Sequence, residues 1–254
     1  MRAHLITGGF PPGSPAGHDM DYARLRLLEL LHEHGVNTTV AGDFSDVDKW
    51  LGESQLLLTY VAGPFPDSEQ NALLEAWLEN GGRWVALHGT SGGKAIRTDG
   101  PLRKFVKLPH HQTLGSFFLN HPPLRKFKVD VHEGRHPLMK NLPTSFEVED
   151  ELYMIEMMDE NATPLLTTEL PEDPSPPGFG YVYDEDTSLL GDGKTRVLGY
   201  LREVGKGTVV YWALGHCHSS PGPAHDGSAA PAFQGVWESS EFRQLLSNSL
   251  TWAG

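Results

Sequence analysis

Short apolar runs and amphipathic segments alternate along the first third of the chain. Ala3 to Thr7 predicts a first strand, and the run from Gln55 to Tyr60 is almost wholly apolar, as expected for a strand with two covered faces. A helix is predicted between them, from about Asp21 to His34, because apolar residues recur there at helical spacing. Its predicted apolar stripe comprises Tyr22, Leu25, Leu28 and Leu31.

The next segments repeat this alternation. Val36 to Ala41 predicts a short strand, and Asp67 opens a second helix with a capping box completed by Gln70. The helix ends at Gly81-Gly82, and Trp84 to Leu87 predicts a fourth strand. The apolar stripe of this helix comprises Leu73, Leu74, Trp77 and Leu78. This pattern favours an α/β fold with a doubly wound, mostly parallel sheet flanked by helices.

The second half is less regular. Phe127 to Val131 alternates as an antiparallel or edge strand does, and residues 146–153 and 196–201 are further strand candidates. Val204 to Gly207 predicts a hairpin turn into a strand over residues 208–214.

Two stretches lack a clear period. Residues 92–128 mix basic, histidine and aromatic side chains, which would suit a lid or an interface. Residues 171–193 are rich in Pro, Gly and Asp, which is typical of a surface excursion. A last helix is predicted over residues 241–252, and its apolar face comprises Phe242, Leu245, Leu246 and Leu250. We find no linker or repeat, and we therefore expect a single domain over residues 1–254.

The composition argues against several classes of protein. Of 254 residues, 39% are hydrophobic, yet no run reaches the roughly 18 apolar residues that span a bilayer. The net charge of −13 argues against nucleic acid and anionic membranes as partners and is compatible with neutral sugars. The N-terminal residues lack the apolar core of a secretory signal, and the single cysteine, Cys217, excludes an internal disulfide framework. We expect a cytoplasmic protein.

Two apolar strands end at a histidine beside a glycine. The fourth strand runs into His88-Gly89, and residues 209–214 run into Gly215-His216. Ligands of parallel α/β sheets bind beyond the carboxyl ends of the strands, so we expect both histidines to face one cleft. His88 stands at the centre of a small-residue turn, where an imidazole suits a general base or a ligand. The alternative is a histidine that only bonds a backbone carbonyl at the strand end.

Acidic and aromatic residues add further candidates. Asp150-Glu151 precede Tyr153, and such a pair places one acid toward a site, where it would orient a histidine, and the other toward solvent. The alternative is a capping or surface pair. His121 lies before two prolines, in a rigid turn that either reaches into a cleft or closes the loop.

Residues near both chain ends complete the set. His18-Asp19 follow the loop that begins at Gly8-Gly9, again at the ligand-binding edge, without a dinucleotide or phosphate fingerprint. His218 forms a His-x-His pair with His216, and a solvated loop residue is the favoured interpretation for it. Cys217 is expected to be buried and inert.

In chain order these features resemble the trehalose-utilisation (ThuA-like) family, whose fold is similar to that of class I glutamine amidotransferases. The resemblance implies a flavodoxin-like three-layer sandwich. The matching motifs are Thr7-Gly8-Gly9, His18-Asp19, Trp84 to Gly89, Phe118 with His121-Pro122, His136-Pro137, Asp150 to Tyr153, Gly205 to Gly207, and Leu214 to His216. Amidotransferases of this class carry a cysteine where this chain has His88, and an acid where it has His218. Cysteine-dependent glutamine hydrolysis is therefore not expected.

The family resemblance also implies sugar metabolism, with a keto-sugar or a glycoside as substrate. His88 and His216, with Asp150 and Glu151, could act as acid and base in an isomerase, a lyase or a hydrolase. Alternatively, together with His121 or His18, the two histidines could hold a divalent metal such as zinc. The expected ligand-binding residues are Gly9, His18, Asp19, Gly89, His121, Tyr153 and Gly215. The competing hypothesis is a non-catalytic module that binds a sugar or a partner, and a homo-oligomer is compatible with both.

Overall fold

The structure is a computed structural model that describes residues 1–9, 18–219 and 232–252, so most of the loop predicted after the first strand lies outside it. The strands are β1 (Arg2–Gly8), β2 (Asn37–Ala41), β3 (Leu56–Val61), β4 (Arg83–Leu87), β5 (Lys94–Arg97), β6 (Arg103–Val106), β7 (Ser116–Asn120), β8 (Arg125–Val131), β9 (Ser145–Asp150), β10 (Met154–Met157), β11 (Thr163–Glu169), β12 (Thr195–Val204) and β13 (Gly207–Trp212). The α-helices are α1 (Met20–Glu33), α2 (Val47–Trp50), α3 (Ser68–Glu79), α4 (His110–Leu114) and α5 (Ser240–Thr251).

Within the described residues, the central sheet has nine strands in the order β2-β1-β3-β4-β13-β12-β11-β8-β9. The pairs from β2 to β13 are parallel, whereas those from β13 to β9 are antiparallel. The sheet is therefore mixed, and the prediction of a mostly parallel sheet holds for one half of it. The change of direction occurs at the predicted hairpin, where Gly205 has a φ of +60° and the chain turns from β12 into β13. The three-layer arrangement stays a prediction.

The helices begin and end close to the predicted positions. At the start of α3, Asp67 accepts a hydrogen bond from the Gln70 amide at 2.9 Å, and Gln70 accepts one from the Asp67 amide at 3.0 Å. Two stripe positions were wrong, because Leu25 is 55% exposed and Leu73 is 43% exposed. The α1 stripe was spaced strictly by three, and such positions drift around a helix of 3.6 residues per turn and leave the buried face. In α3 the buried residues include Leu74 and Leu78, and Leu73 lies about 100° around the helix from Leu74. The buried residues of α1 are Met20, Ala23, Leu27, Leu30 and Leu31.

Of the two stretches without a clear period, one contributes to the core and the other contains no regular secondary structure. Residues 92–128 contain the β5–β6 hairpin, α4 and β7, which the sequence pattern did not predict, and β7 is buried at every position. Residues 171–193 contain no helix or strand of their own, as predicted, and two isolated bridges tie them to Arg103 and Arg196. In the ranges that the structure describes, no helix combines the length and the apolar character needed to cross a membrane.

Candidate metal centre

β4 and β13 are neighbouring parallel strands, and each delivers a histidine to the same edge of the sheet. His88 follows β4 directly with a φ of +42°, which is uncommon for a residue other than glycine. Gly89 completes this turn, because a Cβ there would lie 2.6 Å from the carbonyl oxygen of Val61. Gly215 introduces His216 with a φ of +125°, a conformation that favours glycine. The centroids of the two imidazole rings are 5.7 Å apart.

The two ring nitrogens of His88 have different surroundings. Nδ1 lies 2.7 Å from the carbonyl oxygen of Ala213, and since a carbonyl only accepts, Nδ1 carries the proton. Nε2 is buried without a hydrogen-bond partner among the described residues and lies 3.6 Å from Oε2 of Glu151. Tyr153 stacks on the ring with a centroid distance of 3.9 Å. The ring is therefore fixed with the lone pair of Nε2 available.

His216 shows the same division with its nitrogens exchanged. Nε2 lies 3.0 Å from Nδ1 of His218, so the second residue of the His-x-His pair contacts the first rather than only solvent. Nδ1 lies 3.1 Å from Oε2 of Glu151 but is not aligned for a hydrogen bond with it. The prediction of a solvated loop residue is therefore wrong for His218, because its ring contacts Nε2 of His216 and leaves Nδ1 of His216 as the free nitrogen.

His18 supplies a third imidazole. Its Nε2 lies 3.4 Å from the hydroxyl of Tyr153, and its Nδ1 is buried without a partner in the described part of the chain. Its ring centroid lies 4.8 Å from that of His88 and 5.0 Å from that of His216. The neighbouring Asp19 caps α1 by accepting from the Tyr22 amide at 2.9 Å. Gly9 lines a small cavity beside His18 and Asp19.

The two adjacent carboxylates have separate surroundings. Asp150 is fully buried and accepts from the amides of Gly215, His216 and Glu151 at 2.8, 2.9 and 2.8 Å. Burial raises the pKa of Asp150 to about 7, against the opposing effect of these donors. Glu151 instead turns toward the histidines. Glu151 is therefore the carboxylate that faces the imidazoles, as one of the pair was predicted to do. The prediction that the other acid faces solvent is wrong, because Asp150 is buried and accepts hydrogen bonds from backbone amides.

Four side chains converge as a result. His18, His88, Glu151 and His216 each place a donor atom within 4.8 Å of those of the other three. In each histidine one nitrogen has a polar neighbour while the other is buried without a partner among the described residues. Metal-binding histidines have this pattern, in which an outer contact fixes the ring and the tautomer. Three imidazoles and a carboxylate suit zinc and other first-row transition metals.

The protonation states agree with this donor set. Burial lowers the pKa of His88, and burial with the neighbouring histidines lowers that of His18 well below its usual value. Burial alone would raise the pKa of Glu151, yet the adjacent His216 and His88 hold it well below its usual range. Neutral imidazoles and an ionised carboxylate are the forms that bind a metal.

The comparisons with known proteins identify the family. The trehalose-utilisation (ThuA) family model matches residues 15–221, which is most of the chain. The chain belongs to the ThuA family. A ThuA-like protein from Bacteroides uniformis has a similar structure, with a TM-score of 0.64, 19% identity and coverage of 99% of this chain and 90% of that one. A ThuA-like protein from Parabacteroides merdae gives a TM-score of 0.59 at 19% identity, covering 99% and 89% of the two chains.

More distant comparisons add only the fold. A β-galactosidase from Rahnella aligns with a TM-score of 0.54 at 17% identity, over 84% of this ThuA-family chain and 28% of that enzyme. No curated protein matches the sequence significantly. The family and the α/β fold are thereby shown, whereas the reaction must be argued from the site.

His121 and Cys217 occupy different positions relative to the candidate site. His121 is outside the four-residue cluster, yet its Nδ1 lies 3.6 Å from Oε1 of Glu151. The thiol of Cys217 is buried against the hydroxyl of Tyr60 at 3.4 Å, and burial raises its pKa to about 12. A thiol in this state is not a nucleophile, in agreement with the expectation of an inert cysteine.

Sequence reasoning missed two aromatic residues beside the site. Phe179 and Tyr181 lie in the 171–193 excursion, and the ring of Phe179 is 5.5 Å from that of His121. Tyr181 lies 5.9 Å from Phe118, which itself packs on Tyr153 at 4.3 Å. The only signal in the sequence was an aromatic–glycine–aromatic triplet in a segment otherwise rich in Pro and Asp.

Proposed function

We propose that this protein is a metal-dependent enzyme of carbohydrate metabolism that acts on a keto-sugar or a glycoside. The observation that carries the proposal is the shared pattern of three histidines, each with one supported and one buried, unpartnered nitrogen beside Glu151. His4 and His110 also bury one nitrogen without a partner, so what sets His18, His88 and His216 apart is that their donor atoms converge with that of Glu151 within 4.8 Å. A cation would satisfy all three nitrogens at once.

The proposed ligands are His18, His88, His216 and Glu151, and the ion is a divalent first-row metal such as zinc. A metal bound there supplies a Lewis acid for a carbonyl or hydroxyl oxygen of the substrate. The family name, trehalose utilisation, supports a sugar as that substrate. Either His18 or His121 was expected as the third histidine ligand, and the geometry favours His18, because its donor atom lies in the four-residue cluster.

His121 is the proposed proton-transfer residue. Its Nδ1 lies 2.9 Å from the carbonyl oxygen of Pro122 and therefore carries a proton, which leaves Nε2 for a ligand. The exposed fraction of the side chain increases from 0% for His88 to 14% for Glu151 and 16% for His121. His121 is thus at least as accessible as Glu151, and a proton-transfer residue must be within reach of the substrate.

Metal titration tests the proposal. Chelator-treated wild type is expected to bind one zinc or cobalt(II) ion per chain, and Glu151→Gln is expected to weaken binding by roughly 100-fold or more, because outer partners alone are worth about 10–100-fold. His34→Ala serves as the control, since His34 is exposed and bonds Ser247 on α5. Binding that is equally tight in Glu151→Gln and wild type would contradict the proposed ligand set.

An NMR time course tests catalysis. Metal-loaded wild type is mixed with trehalose and with its 3-keto derivative, and product resonances are expected from one of them. His121→Ala is expected to retain the metal while turnover decreases by about 100-fold. Saturable sugar binding without product would favour the non-catalytic module instead, and absence of both would contradict a sugar substrate.

A further inference from the structure

An aromatic surface lies beside the candidate metal centre, next to His121. It consists of His121, Phe179 and Tyr181, and we name it the aromatic wall. All three side chains are partly exposed, whereas Phe118 and Tyr153 behind them are buried.

Hydrogen bonds hold the wall in place although its segment has no helix or strand. Asn120, at the buried end of β7, accepts from the Tyr181 amide at 2.9 Å and donates to Asp173 at 2.9 Å. Ser175 donates to the carbonyl oxygen of His121 at 3.3 Å. The segment is therefore fixed at several points to the strand and turn that carry His121.

The backbone between the two aromatic residues is also constrained. Gly180 has a φ of +75°, and a Cβ there would lie 2.1 Å from Oδ1 of Asn120. Only glycine permits this close approach, which brings Phe179 against His121 and Tyr181 against Phe118. Partly exposed aromatic rings held this firmly on a loop are typical of a ligand site rather than of a core.

We propose that the aromatic wall is the carbohydrate subsite of the metal centre and that Phe179 stacks on the C–H face of a sugar ring. This inference rests on the proposed function. A pyranose offers an apolar face and a rim of hydroxyl groups, so it needs a flat apolar partner beside a few polar atoms. The ring of Phe179 supplies the flat apolar partner. The polar atoms come from Glu151 and His121, whose Oε1 and Nδ1 lie 3.6 Å apart.

The position of the aromatic wall determines which part of a bound sugar lies near the candidate metal centre. A sugar stacked on Phe179 lies next to His121, so a carbon of that ring or its glycosidic oxygen comes within reach of both the proton-transfer residue and Glu151.

Calorimetry and saturation-transfer NMR with trehalose and its 3-keto derivative test the wall in cobalt-loaded protein. Phe179→Ala is expected to weaken sugar binding by about tenfold, because an aromatic stacking partner is removed. Phe179→Trp is expected to retain binding. Val182→Ala is the matched control, since Val182 is 39% exposed on the same segment but lines a separate groove with Lys104 and Phe117.

The cobalt spectrum separates the two proposals. Weaker sugar binding with an unchanged spectrum supports the wall, whereas unchanged sugar binding in Phe179→Ala overturns it. A changed spectrum in that variant also overturns it, because the ring would then act by shaping the metal centre. Wild type that binds sugar but no metal would overturn the metal centre and leave the wall supported, and wild type that binds metal but no sugar would overturn the wall alone.

Discussion

The parallel and antiparallel halves of the sheet contribute to the candidate site in different ways. The parallel half presents His88 and His216 at the ends of β4 and β13, where neighbouring strands end together. The antiparallel half contributes Glu151, which follows β9, a strand at the far edge of the same sheet. The pairing of β4 with β13 places the two histidines side by side. Glu151 reaches them from the loop that follows β9.

Asp150 joins the two halves. Its carboxylate ends β9 and accepts from the amides of Gly215 and His216, beyond the end of β13. The same interaction places Glu151 beside the imidazoles. The proposed metal centre therefore depends on Asp150, a buried carboxylate outside the proposed ligand set.

Asp150→Ala is the strongest way to break this connection. It leaves amides of Gly215, His216 and Glu151 without their acceptor in a buried place, and we expect the free energy of unfolding to fall by roughly 3 kcal/mol. Metal affinity should fall with it, because Glu151 and His216 lose their common anchor. Denaturant unfolding and metal titration measure the two effects.

Glu149→Ala is the control for Asp150→Ala, since Glu149 lies on the same strand with its side chain exposed. It should change the free energy of unfolding by no more than about 0.5 kcal/mol. If Asp150→Ala were equally mild, the two halves would be held together by other contacts and the comparison would fail.

The parallel half could be predicted well from the sequence. Its strands are short apolar runs separated by helices with caps, so the local pattern alone specifies βαβ units, and β1, β3 and β4 lie within about one residue of the predicted bounds. The ends of such strands form one edge of a sheet, which is why the convergence of His88 and His216 followed from their positions after β4 and β13.

Most strands of the antiparallel half were predicted as well, but the separate two-stranded β7–β10 sheet and the wall were not. β7 is buried at every position and looked like irregular chain, because its pairing with β10 is a contact between distant segments. Asp150 and Glu151 have separate roles because Asp150, and not Glu151, accepts from the Gly215 amide. The sequence pattern does not predict which of two adjacent acids makes this contact. Phe179 and Tyr181 depend on the hydrogen bonds of Asn120, which local sequence does not encode.

His218→Ala tests how the parallel half orients one of its own histidines. His218 contacts Nε2 of His216 at 3.0 Å and fixes which nitrogen stays free, so its loss should weaken metal binding by about tenfold. His218→Asn is expected to restore part of the affinity, because the amide oxygen can accept where Nδ1 does. An equal loss in both variants would show that the His218 ring fills space instead of orienting His216.

The smallest expected effect tests how far the strand ends are independent of the helices around them. Asp67→Ala removes the cap of α3, which connects β3 to β4 and hence to His88, and should cost about 1 kcal/mol of unfolding free energy. The hydrogen bonds of the Asp67 side chain stay within the first turn of that helix, so metal affinity should remain within twofold of the wild-type value, roughly 0.4 kcal/mol. Asp67→Asn, which retains a capping side chain, should recover most of the stability. A larger loss of metal affinity in Asp67→Ala would mean that helix packing, and not the pairing of β4 with β13, sets the position of His88.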